Sequence, residues 1–113
     1  MKLLTKAIET KLLKNAELSA SGENTDNLKP VLKLFNPCGA ATWLITELDE
    51  SGLMFGLADM GFGTPELGYV SLDELKGIRL PFGLTIERDT SFEADKTLAE
   101  YAREARELGR IAA

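Results

Sequence analysis

One stretch constrains this chain more than any other. It is Met54-Phe55-Gly56-Leu57-Ala58-Asp59-Met60-Gly61-Phe62-Gly63-Thr64-Pro65-Glu66-Leu67-Gly68-Tyr69. Glycines, a proline, aromatic residues and two acids are concentrated there between two strand-like segments. Glycine reaches backbone conformations that other residues avoid, and proline presets a turn, so the chain must turn sharply and expose something at the tip.

The rest of the sequence says what kind of body carries that turn. A chain of 113 residues and 12.3 kDa suits one domain that folds without staples. Residues 1–113 therefore read as a single α+β domain, with 1–27 as an N-terminal helix and polar linker and 28–113 as the core. The longest apolar runs are shorter than the roughly 20 residues of a membrane span. Lys6, Glu9 and Lys11 interrupt any signal-peptide core, so a cytoplasmic location is expected. Histidine is absent and Cys38 is the single cysteine. This excludes an internal disulfide, a zinc finger and a His-based triad. Cys38 reads as a small buried apolar residue. A net charge of −5 opposes binding to phosphate backbones and favours a basic protein partner.

Taken in order, Leu3 to Leu18 spaces Leu4, Ile8, Leu12 and Leu13 as one apolar helical stripe, expected to pack on the domain. Ser19 to Asn27 lacks an apolar face and reads as a flexible connection. Strands are expected at 30–35, 41–48, 53–60, 67–70 and 84–89. A turn at Asn36-Pro37-Cys38-Gly39 separates the first two, and a hairpin at Asp49-Glu50-Ser51-Gly52 the next. Gly56 inside the third strand marks a bulge or a close backbone approach. Ser71 with Glu74 reads as a capping box for a short helix that Gly77 stops in the left-handed region. Leu84 and Ile86 are expected to face the core. Thr97 with Glu100 is a second capping box, and Leu98, Tyr101, Ala102, Ala105 and Leu108 form the stripe of a helix ended by Gly109. The expected fold is an antiparallel sheet of about five short strands flanked by an N-terminal and a C-terminal helix.

The acids Glu47, Asp49, Asp59, Glu66, Glu87 and Asp89 fall on strand ends or on the glycine loop. If gathered, they could hold Mg²⁺ or Ca²⁺ or divide acid and base roles; solvated strand edges carry such acids routinely. Arg88 or Arg79 could pair with Glu66 or Asp59 to pin the loop. Gly61-Phe62-Gly63-Thr64-Pro65 lacks the lysine and following helix of a phosphate loop. Phe62 is either tucked into the core or offered to a partner as an anchor. Trp43 and Tyr69 lie within strands and read as core or half-core residues. The candidate binding set is Asp59, Phe62, Thr64, Glu66, Tyr69, Glu87 and Asp89, with no catalytic residue, metal ligand or cofactor assigned.

With Lys33-Leu34-Phe35-Asn36-Pro37, Thr42-Trp43-Leu44-Ile45-Thr46-Glu47-Leu48-Asp49, Phe55 through Leu72 and Glu87-Arg88-Asp89, the chain resembles the bacterial family called domain of unknown function 2958. These motifs span Leu32 to Ala105. The resemblance implies a small protein common on plasmids, integrative elements and phages, with no established activity. Size, acidity and that context lead to the expected function, a non-enzymatic protein-binding module acting through an acidic surface. Its sharper form is an inhibitor of a host defence nuclease of the CRISPR or restriction type. The alternatives are a small metal-dependent enzyme using Asp59, Glu66, Glu87 and Asp89, and an accessory protein in plasmid or phage DNA handling.

Overall fold

The computed structural model describes residues 2–113. In chain order the elements are α1 (Lys6–Ala20), β1 (Leu32–Phe35), β2 (Thr42–Leu48), β3 (Leu53–Asp59), β4 (Glu66–Ser71), α2 (Leu72–Gly77), β5 (Glu87–Arg88) and α3 (Leu98–Leu108). The strands form one antiparallel sheet in the order β4-β3-β2-β1-β5. The fold is α+β: a four-strand meander with β5 returning to the far edge, and a helix near each terminus.

Both faces of the sheet are covered, because β2 carries apolar side chains on alternate sides. Trp43 and Ile45 join Leu32, Leu34, Met54 and Ile86 in a core closed by Leu12 of α1 and by Leu72 and Leu75 of α2. Leu44 points the other way and meets Leu57 of β3 with Leu98, Tyr101, Ala102 and Ala105 of α3. Leu12, Leu34, Leu44 and Leu98 are wholly excluded from solvent; side chains of this kind stabilise a fold by about 2 kcal/mol each. The N-terminal helix thus packs on the domain, as its stripe requires. Thr97 and Glu100 form the complete reciprocal cap of α3, and Gly109 ends it at φ 75°.

The register of β2 on β3 shifts once. Ile45 pairs with Gly56 and Glu47 with Phe55, so Thr46 is an extra residue in the ladder. A bulge of this kind turns the following side chains over. Leu48 is thereby returned to the α1 core, and Glu47 shares the face of Phe55 and Leu57. Gly56 permits it: a Cβ there would stand 2.0 Å from the Leu44 carbonyl oxygen. The bulge also frees the Thr46 carbonyl, which accepts a 2.9 Å hydrogen bond from Asn15 Nδ2 of α1. A buried carbonyl left without a donor is costly, so this bond ties α1 to the irregularity.

Several local expectations are corrected. Cys38 is exposed rather than buried; Asn36 Oδ1 accepts from the Cys38 amide at 2.7 Å and closes a tight turn at the tip of the β1–β2 hairpin. The Ser19–Asn27 connection is anchored, not flexible: Thr25–Asn27 forms a 3-10 turn, Thr25 is buried, and its hydroxyl donates to Glu47 Oε2. Gly77 is the last residue of α2 and does not adopt the left-handed conformation; Ile78 leaves in an extended conformation because it and Leu80 are drawn against the core. Of the 84–89 strand only Glu87–Arg88 pairs with β1, because the Leu84 carbonyl closes a loop with the Leu80 amide at 2.9 Å. Leu84 is consequently exposed while Ile86 is buried. Finally, Ser71 Oγ accepts from the Glu74 amide at 3.2 Å, the half of that capping box that forms.

Candidate functional site: the glycine loop and its surroundings

The loop joining β3 to β4 is built around Asp59, which is buried at the end of β3. Its Oδ1 accepts from the Gly61 amide at 2.8 Å and its Oδ2 from the Ile111 amide at 2.9 Å. One carboxylate therefore holds both the loop and the tail that follows α3. Gly61 and Gly63 take the left-handed conformation at φ 88° and 84°. Gly61 has no room for a side chain, since a Cβ would meet that of Ala40 at 2.9 Å. On the other side Gly109 abuts Gly63. The loop backbone is thus wedged between the β1–β2 hairpin and the end of α3.

On this pinned backbone Phe62 is 86% exposed and Met60 52% exposed. Of the two roles open to Phe62, the structure places it outside the core. Thr64 and Glu66 are exposed beside it, with Glu66 opening the edge strand β4. Arg88 and Arg79 take no part in pinning the loop: Arg88 Nη1 donates to the Lys2 carbonyl at 2.8 Å and Arg79 Nη1 to that of Lys76 at 3.1 Å.

Glu87 and Asp89 belong to the opposite edge of the sheet. Asp89 pairs with Lys33 Nζ at 3.4 Å. Four strand intervals separate β4 from β5, or roughly 19 Å at the usual spacing. Asp59, Glu66, Glu87 and Asp89 are therefore not brought together, and among the described residues no group of three or more acids or cysteines is placed to hold a metal ion. The metal-dependent site drawn from those four carboxylates has no geometric basis.

Trp43 is buried, as expected of a central strand, but Tyr69 is 70% exposed and is not a core residue. It stands on an edge strand where α3 does not reach, with Phe55 beside it, their ring centroids 5.0 Å apart. Cross-strand pairing sets Glu47, Phe55 and Tyr69 in one row over β2, β3 and β4. Phe55 and Thr25 are not among the expected site residues, and Glu47 is expected only as a strand-end acid. Strict alternation from Trp43 and Ile45 would have buried Glu47 in the α1 core; Gly56 was the one sign that a bulge intervenes.

The sequence pattern of the family described as Protein of unknown function (DUF2958) matches residues 3–112, and the chain belongs to that family. The match includes α1 and the linker, which the motifs from Leu32 to Ala105 leave out. No curated protein and no solved structure matches the chain. No helix among the described residues is long and apolar enough to cross a membrane.

Proposed function

We propose that this member of the family is a non-enzymatic protein-binding module whose anchor is Phe62. The observation that carries this reading is an aromatic side chain 86% exposed on a loop that Asp59 holds at Gly61 and ties to the tail at Ile111. Exposing an aromatic ring to water has no benefit for the folded chain. A preordered loop lowers the entropy cost of using that ring as a contact, and interface energy concentrates in such anchors. The net charge of −5 favours a partner with a basic surface and disfavours direct binding of nucleic acid. In its sharper form the module is carried by plasmids or phages, works in the cytoplasm, and occupies the nucleic-acid channel of a CRISPR or restriction nuclease. No cofactor is required for such a role.

Pull-down against purified CRISPR and restriction effectors, paired with a cleavage assay, tests it. Capture and inhibition of one effector class are expected. Phe62→Ala should weaken capture roughly 30-fold, the effect of losing about 2 kcal/mol at an anchor, with an unchanged melting temperature. Absence of binding with full cleavage across effector types overturns the inhibitor role. Undiminished capture by Phe62→Ala overturns the assignment of the anchor.

A further inference from the structure

The row created by the bulge ends in a small cleft that the glycine loop does not touch. The cleft, of about 200 Å³, is walled by Phe55 and Tyr69 on one side and by the Asn24–Asp26 segment on the other, with Glu47 in its lining. That volume is below the usual range for a small-molecule pocket and suits one side chain. Glu23, Asp26 and Glu47 contribute three carboxylates, and no basic residue lines it.

Glu47 distinguishes this place from an ordinary acidic surface. The residue is 92% buried, since its relative exposure is 8%. Its Oε2 accepts from the Thr25 hydroxyl, while Oε1 takes no hydrogen bond or ion pair among the described residues. Among the described residues no side-chain oxygen is both sealed and unpartnered, so Oε1 is reachable from solvent, and Glu47 lines this cleft. Thr25 thus holds the carboxylate by one oxygen and leaves the other as an acceptor for a donor that enters from outside. Beside it the Tyr69 ring, with the Phe55 ring tilted against it at 59°, is 70% exposed.

We infer that this cleft receives a single arginine side chain from a basic protein segment. The guanidinium is planar and carries donors in a fork, which answers both features of the site: hydrogen bonds to Glu47 Oε1 with the outer carboxylates, and stacking on Tyr69. A lysine ammonium would satisfy the charge but not the planar stacking. The assignment rests on the proposed role as a module for a basic protein partner and adds to it a second contact point, separate from Phe62.

The probe is a capped tri-arginine peptide titrated into the isotope-labelled full chain, with tri-lysine and tri-citrulline peptides as controls; citrulline keeps the shape and removes the charge. Amide shifts of Thr25, Glu47, Phe55 and Tyr69 are expected with arginine. Affinity should fall at least tenfold for Tyr69→Ala, whose side chain is exposed and whose loss spares the core, and for Glu47→Gln, which can keep the Thr25 bond. Phe62→Ala should bind the peptide as the natural chain does. Shifts scattered over other acidic surfaces, equal binding of the citrulline or lysine peptide, or no effect of Tyr69→Ala would each overturn the inference. Peptide binding without capture of any effector keeps the cleft and removes the effector role. Effector capture that Phe62→Ala abolishes, with no peptide binding at the cleft, does the reverse.

Discussion

Two turns of this protein each display a phenylalanine, and they do so at different cost. In Gly61-Phe62-Gly63 the flanking glycines take the left-handed conformation, at φ 88° and 84°, and Phe62 does not. In Pro81-Phe82-Gly83 the phenylalanine itself stands at φ 62°, with Gly83 following at 72°. Phe62 is 86% exposed and Phe82 96%. A non-glycine residue in that region costs about 1–2 kcal/mol, so Phe82 carries backbone strain that Phe62 is spared. Their anchoring also differs. The first loop is held by a buried carboxylate and wedged between Ala40 and Gly109, whereas the second is closed by backbone bonds between Leu80 and Leu84 and between Leu84 and Pro81. Similar composition therefore produces two different objects: an aromatic presented by an unstrained, fixed loop, and one presented by a strained turn.

The sharpest way to break the comparison is to remove the anchor. Asp59→Ala should destabilise the protein by about 3 kcal/mol, because two charge-assisted hydrogen bonds are lost and the Gly61 and Ile111 amides lose their acceptor. Urea unfolding measures it; a cost below about 1 kcal/mol would mean that the loop is held by something else. A smaller effect separates the turns directly. Asparagine tolerates the left-handed region, so Phe82→Asn should stabilise by about 1 kcal/mol, while Phe62→Asn should stay within about 0.5 kcal/mol of the natural chain. Equal shifts in the two thermal unfolding curves would erase the distinction.

The smallest effect concerns Asp49, the exposed counterpart of Asp59 in the β2–β3 turn. The Ser51 hydroxyl, then the Leu53 amide, hold its carboxyl below the ordinary aspartate value. At the start of α3, the Thr97 amide and hydroxyl do the same for Glu100. A carboxyl lowered in the folded state stabilises it above the unfolded value, and that contribution is lost as pH falls through the folded one. Carbon-detected titration should therefore give Asp49 and Glu100 midpoints below those of unpaired carboxyls, and Asp49→Asn should flatten the acid side of the stability curve slightly. An ordinary midpoint at Asp49 would show that its turn bonds do not persist in solution.

Much of this was legible in the residues. The Thr97–Glu100 cap, the Gly109 stop, the apolar stripes of α1 and α3 and the hairpins depend on neighbours within a few positions, where backbone sterics and side-chain spacing decide the outcome. The candidate set was legible only as a list of residue types. Tyr69 looked like a core residue because strand periodicity says which side chains share a face, not whether a helix covers that face. Cys38 looked buried because thiols usually are, yet its place at a hairpin tip leaves it in water.

What the sequence determined by itself is a small acidic α+β chain, without histidine, in which the connection after the third strand must turn through glycines. Which carboxylates are staples, which are paired and which face an open cleft was decided by tertiary structure. Asp59 finds its second donor 52 residues away, at Ile111, and Glu47 finds Thr25 only because one extra residue in β2 turns it over. Those partners meet through strand order and the bulge, and their separation along the chain carries no local signal of either.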